Sequence, residues 1–305
     1  MSTKIIDKNG LTENACESYS TGFVTSKDGT SIGYRQFGHG PGLVLVQGAM
    51  GTAHHYQQLS ELLADAFAIY VPDRRGRGLS DPTGDGYGVQ KEVEDLDALL
   101  AKTGARYVFG LSSGALISLQ AAMALPAIHK LAIYEPPFFM DGVPTHLLSR
   151  YESEMAEENI PGALITAMQA TQMGPKIFNI VPHWLLEFLV NAAINNENKN
   201  GSGDYPSMTE LAPTLRNDFQ VVAEMNGKLA SFKDLHTEVL LLGGSRSPAF
   251  LKSALDALEQ ILPHAKRIEF PQLGHSAAWN YDKQRNPTGN PKPVAQELCR
   301  FFVEP

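Results

Sequence analysis

The chain has 305 residues, 43% of them hydrophobic and 19% charged, with a formal net charge of −8. That much apolar material supplies a large core and excludes global disorder. The acidic balance argues against nucleic acid, whose phosphate backbone needs a basic surface. Cys16 and Cys299 lie near opposite ends and form no CxxC or Cys/His cluster. Such sparse use suits a reducing compartment and leaves a disulfide between the termini the less favoured alternative. Met1 to Tyr19 is polar and lacks the apolar core of a signal peptide, and no window reaches the roughly 18 apolar residues of a membrane span. The expectation is a cytoplasmic protein without a membrane partner, its residues 1–20 forming a loosely attached arm.

Gly22–Thr25 and Ser31–Gln36 read as antiparallel strands joined by the turn Lys27–Thr30. Gly42–Val46 is an apolar run of the kind found in buried parallel strands. It leads into Gln47-Gly48-Ala49-Met50-Gly51 and an amphipathic helix from about His54 to Ala64. A strand at Ala68–Val71 precedes the loop Asp73-Arg74-Arg75-Gly76-Arg77-Gly78-Leu79-Ser80. Val89–Leu100 has helical apolar spacing; Tyr107–Phe109 and Lys130–Tyr134 read as strands on either side of a small-residue helix that begins at Ser113. The alternation implies a doubly wound, mostly parallel α/β sheet with right-handed crossovers.

The alternation then stops. Residues 138–233 read as helices and loops, rich in Met155, Met168, Met173, Leu185, Leu186, Leu189, Phe178 and Trp184. Asn195–Tyr205 reads as a polar loop. Sheet elements resume with a strand at Glu238–Leu242, a helix at Pro248–Leu262, a strand at Lys266–Phe270 and a helix at Val294–Val303. The expected organisation is a core of residues 21–137 and 234–305, with 138–233 inserted as a helical cap.

Gly110-Leu111-Ser112-Ser113-Gly114 joins a strand to a helix. A serine on so sharp a turn is exposed and strained, and the flanking glycines keep the turn free of clashes. Ser112 is therefore the candidate nucleophile. Ligands of such sheets bind beyond the carboxyl ends of the strands, and His275, in Leu273-Gly274-His275-Ser276 after the last strand, is the candidate base. His146 and His183 lie in the insertion and could line a pocket. Two backbone N–H groups are needed for an oxyanion, and Ser113 and Ala49 are the expected donors. Gly48 and Gly51 allow close approach of a substrate, with Gly48, Met50, Phe138 and Trp184 as substrate contacts. Trp184 fits the core of the cap equally well.

The chain resembles the α/β-hydrolase fold superfamily from Gly22 to its C-terminus. The resemblance rests on Gly110–Gly114, on Gly48-Ala49, on Asp73-x-Arg75-Gly76-x-Gly78-x-Ser80 and on Gly274-His275. It departs from the family's His-Gly at Gln47-Gly48, and from its usual acid site after the seventh strand. There Gly243-Gly244-Ser245-Arg246-Ser247-Pro248 has no carboxylate, and Asp256 lies too far into the next helix. A minority of the family, including zearalenone-type lactonases, carries the acid after the sixth strand, where this chain has Glu135. The resemblance implies Glu135 as the acid that orients His275; a structural pairing of Glu135 with Arg74, Arg75 or Arg246 is the competing account.

A serine nucleophile argues against the branches that use aspartate, and points to an ester or lactone of a mostly apolar small molecule as substrate. C–C bond hydrolysis or a lyase reaction on the same triad, and a non-enzymatic small-molecule receptor, are the alternatives. Neither Gly-x-Gly-x-x-Gly nor a Walker sequence occurs, so no cofactor or metal is expected. Oligomeric state is open, with a homodimer among the options.

Overall fold

Strand β3 (Gly42–Val46) shows how the core is laid out. Leu43 and Leu45 join one apolar cluster and Val44 and Val46 the other, all four buried. Side chains alternate along a strand, so a strand apolar at both parities is covered on both faces. The computed structural model describes residues 4–6, 12–14, 19–140, 142–172, 180–200 and 205–304. With β1 (Ser20–Thr25), β2 (Ser31–Phe37), β4 (Ala68–Pro72), β5 (Tyr107–Leu111), β6 (Lys130–Tyr134), β7 (Glu238–Gly244) and β8 (Ala265–Phe270), β3 forms an eight-stranded sheet. The spatial order is β8-β7-β6-β5-β3-β4-β2-β1. β1, β2 and β4 pair antiparallel and the remaining neighbours parallel.

One face is covered by α1 (Gln57–Leu63) and the C-terminal helix α10 (Pro291–Val303), through Leu59, Leu63, Leu298 and Phe302. The other is covered by α2 (Val89–Thr103), α3 (Ser113–Ala124) and α9 (Ala249–Ile261), with α8 (Leu215–Met225) packed on α2 and α3. Helix α3 is apolar all round and buried from Ser113 to Leu119, as a helix packed on several sides must be. Helix α2 ends at Gly104, whose φ of 69° and N–H bond to the Leu100 carbonyl close the last turn.

Between β6 and β7 the described residues form α4 (Thr145–Ala156), α5 (Ile160–Ala170), α6 (His183–Asn200), the short α7 (Met208–Leu211) and α8, with no strand among them. Tyr151, Leu164, Ile194 and Leu215 build a separate apolar cluster, against which Ala49 and Met50 of the sheet core pack. Met155 and Met168 join that cluster, whereas Met173 and Phe178 lie outside the described residues. The loop expected at Asn195–Tyr205 is corrected: residues 195–200 continue α6. Glu197 fastens this end, accepting from the Met208 N–H at 2.9 Å and pairing with Arg285 at 3.3 Å. The helix expected from His54 begins instead as a 3₁₀ turn, Ala53–Tyr56, under a Thr52 cap. In the N-terminal arm, Lys4–Ile6 pairs antiparallel with Thr12–Asn14, and Tyr19 packs on Phe37. Cys299 is a free thiol, and Cys16 lies outside the described residues. No helix among the described residues is long and apolar enough to cross a membrane.

Position within the sheet sets the expected cost of truncation. Leu45→Ala should destabilise by about 2–5 kcal/mol, because a cavity opens in a fully buried strand. Phe23→Ala, on the edge strand and 54% exposed, should change stability far less. Thermal and urea unfolding of the two variants checks the contrast.

Candidate active site

Ser112 sits between β5 and α3 with φ 57° and ψ −124°, a sparsely populated region that costs about 1–3 kcal/mol for a residue with a side chain. Its N–H donates to the Tyr134 carbonyl at 2.9 Å, tying the turn to the end of β6. The flanking glycines are needed for space. A Cβ at Gly114 would stand 2.5 Å from the carbonyl oxygens of Val46 and Gln47, and one at Gly110 would stand 2.5 Å from the Gly114 carbonyl and Ser118 Oγ. Gly48 lies against the serine itself, where a Cβ would fall 2.8 Å from Ser112 Cβ.

Glu135 follows β6 directly, has φ 48° and is fully buried. Its Oε2 lies 2.7 Å from His275 Nδ1, and its Oε1 accepts from the Gly244 N–H at 2.6 Å. An ionised carboxylate only accepts, so Nδ1 is the donor of this bond, which directs the lone pair of a neutral His275 imidazole to Nε2. The glycine loop after β7 thus supplies no acid but does hold one. A Cβ at Gly243 would come 3.2 Å from Glu135 Oε1. The alternative partners are occupied elsewhere: Arg74 by Glu92 and Asp218, Arg75 by Asp95 and Asp28, Arg246 by Gln272. Asp256 pairs with Arg267 on the surface. The loop carrying His275 is fastened by Tyr134, whose hydroxyl donates to the Gly274 carbonyl at 2.8 Å, and by the Arg246 N–H, which donates to the Leu273 carbonyl at 2.9 Å.

Ser113 opens α3, where the first N–H groups have no partner inside the helix. On the facing loop, Met50 has φ 56° and the Gly51 N–H closes on the Gly48 carbonyl at 3.2 Å. Arg77 Nη1 donates to the carbonyls of Gly48 at 2.9 Å and Gly51 at 3.1 Å. The Asp73–Ser80 loop acts as scaffold. Asp73 accepts from the Ala53 N–H at 2.6 Å and the Leu79 N–H at 3.0 Å, and Ser80 accepts from the Gly33 N–H at 2.9 Å. Burial pushes the Asp73 carboxyl up.

Behind the turn lies a buried polar cluster. Asp218, on α8 of the insertion, accepts from Arg74 at 2.6 Å, Arg77 at 2.5 Å and Ser113 Oγ at 2.7 Å. Arg74 also reaches Glu92 at 2.8 Å, and Tyr87 donates to that same Glu92 oxygen at 2.6 Å. Two guanidinium cations therefore face two carboxylates. Burial works to raise the Asp218 pKa, but the Arg77 and Arg74 charges outweigh it and hold the carboxyl below its ordinary 3.8. Burial likewise works against the Arg74 charge, and Glu92 and Asp218 overcome it. The sequence reading missed Asp218, although a signal was present. Leu215, Asp218, Val221, Val222 and Met225 share one helical stripe, so the aspartate stands on the apolar face.

The structure thus places Ser112, Glu135 and His275 after the carboxyl ends of β5, β6 and β8, with Glu135 bonded to His275, Gly48 against Ser112, Ala49 and Met50 on the loop after β3, and Ser113 opening α3. Phe138 and Trp184 are placed differently, and the exposure of Trp184 excludes it from the core of the cap. Phe138 is a core residue, 4% exposed and packed edge-on to Phe232. Trp184 is 68% exposed on α6 beside Phe188 and Leu189, because the buried side of that helix is built from Leu186 and Ile194 instead. His183 lies with Glu154 and Glu187, a group whose ligand atoms are within 4.8 Å of one another. The Glu154 oxygen nearest the imidazole already binds Arg150 at 2.8 Å, so a guanidinium supplies the positive charge there. A surface groove of about 930 Å³ runs beside the His275 loop, lined by Gln58, Arg246, Gln272 and Tyr281, and includes neither Ser112 nor Glu135.

A doubly wound sheet with a strained serine after β5 and a carboxylate–histidine pair across its edge defines the α/β-hydrolase fold. Residues 43–286 match the alpha/beta hydrolase family, and the chain belongs to it. The structure of an alpha/beta hydrolase from Sphaerobacter thermophilus is similar, with a TM-score of 0.74 and 31% identity over 92% of this chain and 100% of that one. A cis-3-alkyl-4-alkyloxetan-2-one decarboxylase of Shewanella oneidensis is 25% identical over 261 residues, 82% of this chain and 81% of the relative. The uncharacterized hydrolase YraK of Bacillus subtilis is 35% identical over 113 residues, which span 35% of this chain and 42% of the relative.

Removing one partner from a buried ionic cluster costs about 3–5 kcal/mol, the loss expected for Asp218→Asn near neutral pH. A carboxyl whose folded pKa is depressed stabilises above its unfolded value, near 3.8, and loses that contribution as pH falls through the lower folded value. The gap in Tm between the native chain and Asp218→Asn should therefore narrow as pH is lowered from 6 to 3, which thermal unfolding across that range measures.

Proposed function

We propose that the chain is a serine hydrolase that cleaves a carboxylic ester or lactone of a mostly apolar small molecule through an acyl-enzyme. The observation that carries this reading is the Glu135–His275 contact of 2.7 Å at the sheet edge that also presents Ser112. In this reading Ser112 Oγ attacks the carbonyl carbon while His275 Nε2 takes its proton. Glu135 fixes the imidazole and stabilises the imidazolium without itself becoming protonated. The tetrahedral oxyanion accepts from the Ala49 and Ser113 N–H groups. His275 then protonates the leaving alkoxide, and water, activated by the same imidazole, releases the acid and restores the serine. With a lactone the alkoxide stays tethered to the acyl group, and the product is a hydroxy acid.

Residues 138–233 serve as a cap in this proposal. Their apolar cluster meets Ala49 and Met50 beside the oxyanion loop, which favours an apolar acyl group. The Shewanella relative's name specifies an oxetan-2-one, a four-membered lactone, which supports lactones as a substrate class. The same name specifies decarboxylation, so a lyase outcome is the second reading. Product analysis separates the two: hydrolysis of a β-lactone gives a β-hydroxy acid, and decarboxylation gives an alkene and CO₂.

p-Nitrophenyl butyrate should be turned over by the native chain. Ser112→Ala should lose at least about 10³-fold in kcat, as removal of a triad nucleophile does. Turnover undiminished in Ser112→Ala would overturn the assignment of the nucleophile. Glu135→Gln should lower kcat by about 10³–10⁴-fold while leaving the fold intact, since a neutral amide cannot hold the same tautomer or stabilise the imidazolium. Near-full activity in that variant would place the acid elsewhere.

A further inference from the structure

We propose that Asp218 is a positioning residue for both oxyanion donors, so that the insertion helps to set the reactivity of Ser112. The inference rests on the serine-hydrolase reading above and deepens it. Oδ1 of Asp218 lies 2.7 Å from Ser113 Oγ and 2.6 Å from Arg74 Nη1. Oδ2 lies 2.5 Å from Arg77 Nη2. The other amino group of Arg77, Nη1, binds the carbonyls of Gly48 at 2.9 Å and Gly51 at 3.1 Å. One carboxylate is therefore anchored to the residue that carries the first donor and, through one guanidinium, to the loop that carries the second.

The link to the second donor is geometric. The Gly48 carbonyl and the Ala49 N–H belong to one planar trans peptide, in which C=O and N–H point in opposite directions. Fixing the Gly48 oxygen on Arg77 therefore fixes the direction of the Ala49 N–H. The charged bond to that oxygen also polarises the amide and strengthens its N–H as a donor. Arg77 can hold this pose because Asp218 fixes its other amino group, and both side chains are nearly free of solvent. At the first donor, the Ser113 hydroxyl is committed to Asp218, which pins the first residue of α3 directly after the nucleophile.

A carboxylate that merely glued the insertion to the core would affect melting but not chemistry. The discriminating readout is the second-order rate of Ser112 phosphonylation by a fluorophosphonate, measured on the full chain well below its Tm. In that step the serine oxygen bonds to phosphorus, fluoride leaves, and the serine proton passes to His275; the phosphoryl oxygen occupies the oxyanion site. Asp218→Asn should be labelled about 10²-fold more slowly, the loss typical of a misplaced oxyanion donor. Its KM for p-nitrophenyl butyrate should stay within about threefold of native while kcat falls in step with labelling. Ser113→Ala removes one hydroxyl and no charge; it should slow labelling by about tenfold, and it decides the matter alone if Asp218→Asn does not fold. Asp95→Asn breaks the neighbouring buried pair with Arg75, which touches neither donor, and should lower Tm without slowing labelling.

Labelling within threefold of native in folded Asp218→Asn, or in Ser113→Ala where that variant stands alone, would overturn the inference. So would equal slowing in Asp95→Asn, because general destabilisation would then account for the effect. A native chain that takes no label at Ser112 would overturn the serine reading and this inference with it. Normal labelling without ester turnover would overturn only the choice of substrate.

Discussion

Glu135 has no solvent exposure, and an ionised carboxylate removed from water costs several kcal/mol unless hydrogen bonds replace the solvent. Its oxygens are bonded to the Gly244 N–H at the end of β7 and to His275 Nδ1 beyond β8, while its own N–H donates to the Leu242 carbonyl. Three neighbouring strands therefore end in one hydrogen-bonded knot. The requirement explains features that otherwise look unrelated. Gly243 leaves room for the carboxylate, and Gly244 brings a backbone donor to it while fitting against the Leu273 carbonyl. The left-handed φ at Glu135 turns the chain out of the strand so that the side chain can reach sideways.

Ser112 meets a complementary constraint. Its strained turn persists because the sheet over-determines it: the N–H is held by the β6 carbonyl, Gly114 fits against the carbonyls of Val46 and Gln47, and Gly110 fits against the first turn of α3. The strain faces the side of the molecule where Glu135 and His275 already lie. Parallel strands with right-handed crossovers bring every loop after a strand to the same edge. Residues 140 positions apart in the chain become a hydrogen-bonded pair at that edge.

The buried cluster of Arg74, Arg77, Glu92 and Asp218 ties the insertion to this edge from behind. Its two cations and two anions balance, which lets four charges remain in the interior. Asp218 is the contribution of the insertion to that balance. The helices between β6 and β7 are thus joined to the core by charge as well as by the apolar contacts of Ala49 and Met50.

Much of the fold was legible before any coordinates. The central strands were legible as continuous apolar runs, because a strand covered on both faces has no freedom to be polar on either, and the first two strands were legible from the turn between them. The serine turn was legible because its glycines are close in sequence, and Glu135 through the resemblance to family members that carry the acid after the sixth strand. What sequence could not decide was the outcome of competition between distant groups. Arg74, Arg75 and Arg246 were all eligible partners for Glu135, and only the folded chain shows each committed elsewhere. Phe138 and Trp184 have side chains apt for binding, but the packing of Phe232 on one and the orientation of α6 for the other set their exposure. Asp218 lies 105 residues from Ser113, and no local rule reports that the two share a hydrogen bond. Sequence by itself determined the elements, their order and the residue types able to do chemistry, because those follow from nearest-neighbour physics. Tertiary structure decided which charges neutralise one another in the interior, because that balance depends on the whole set of groups brought into one volume.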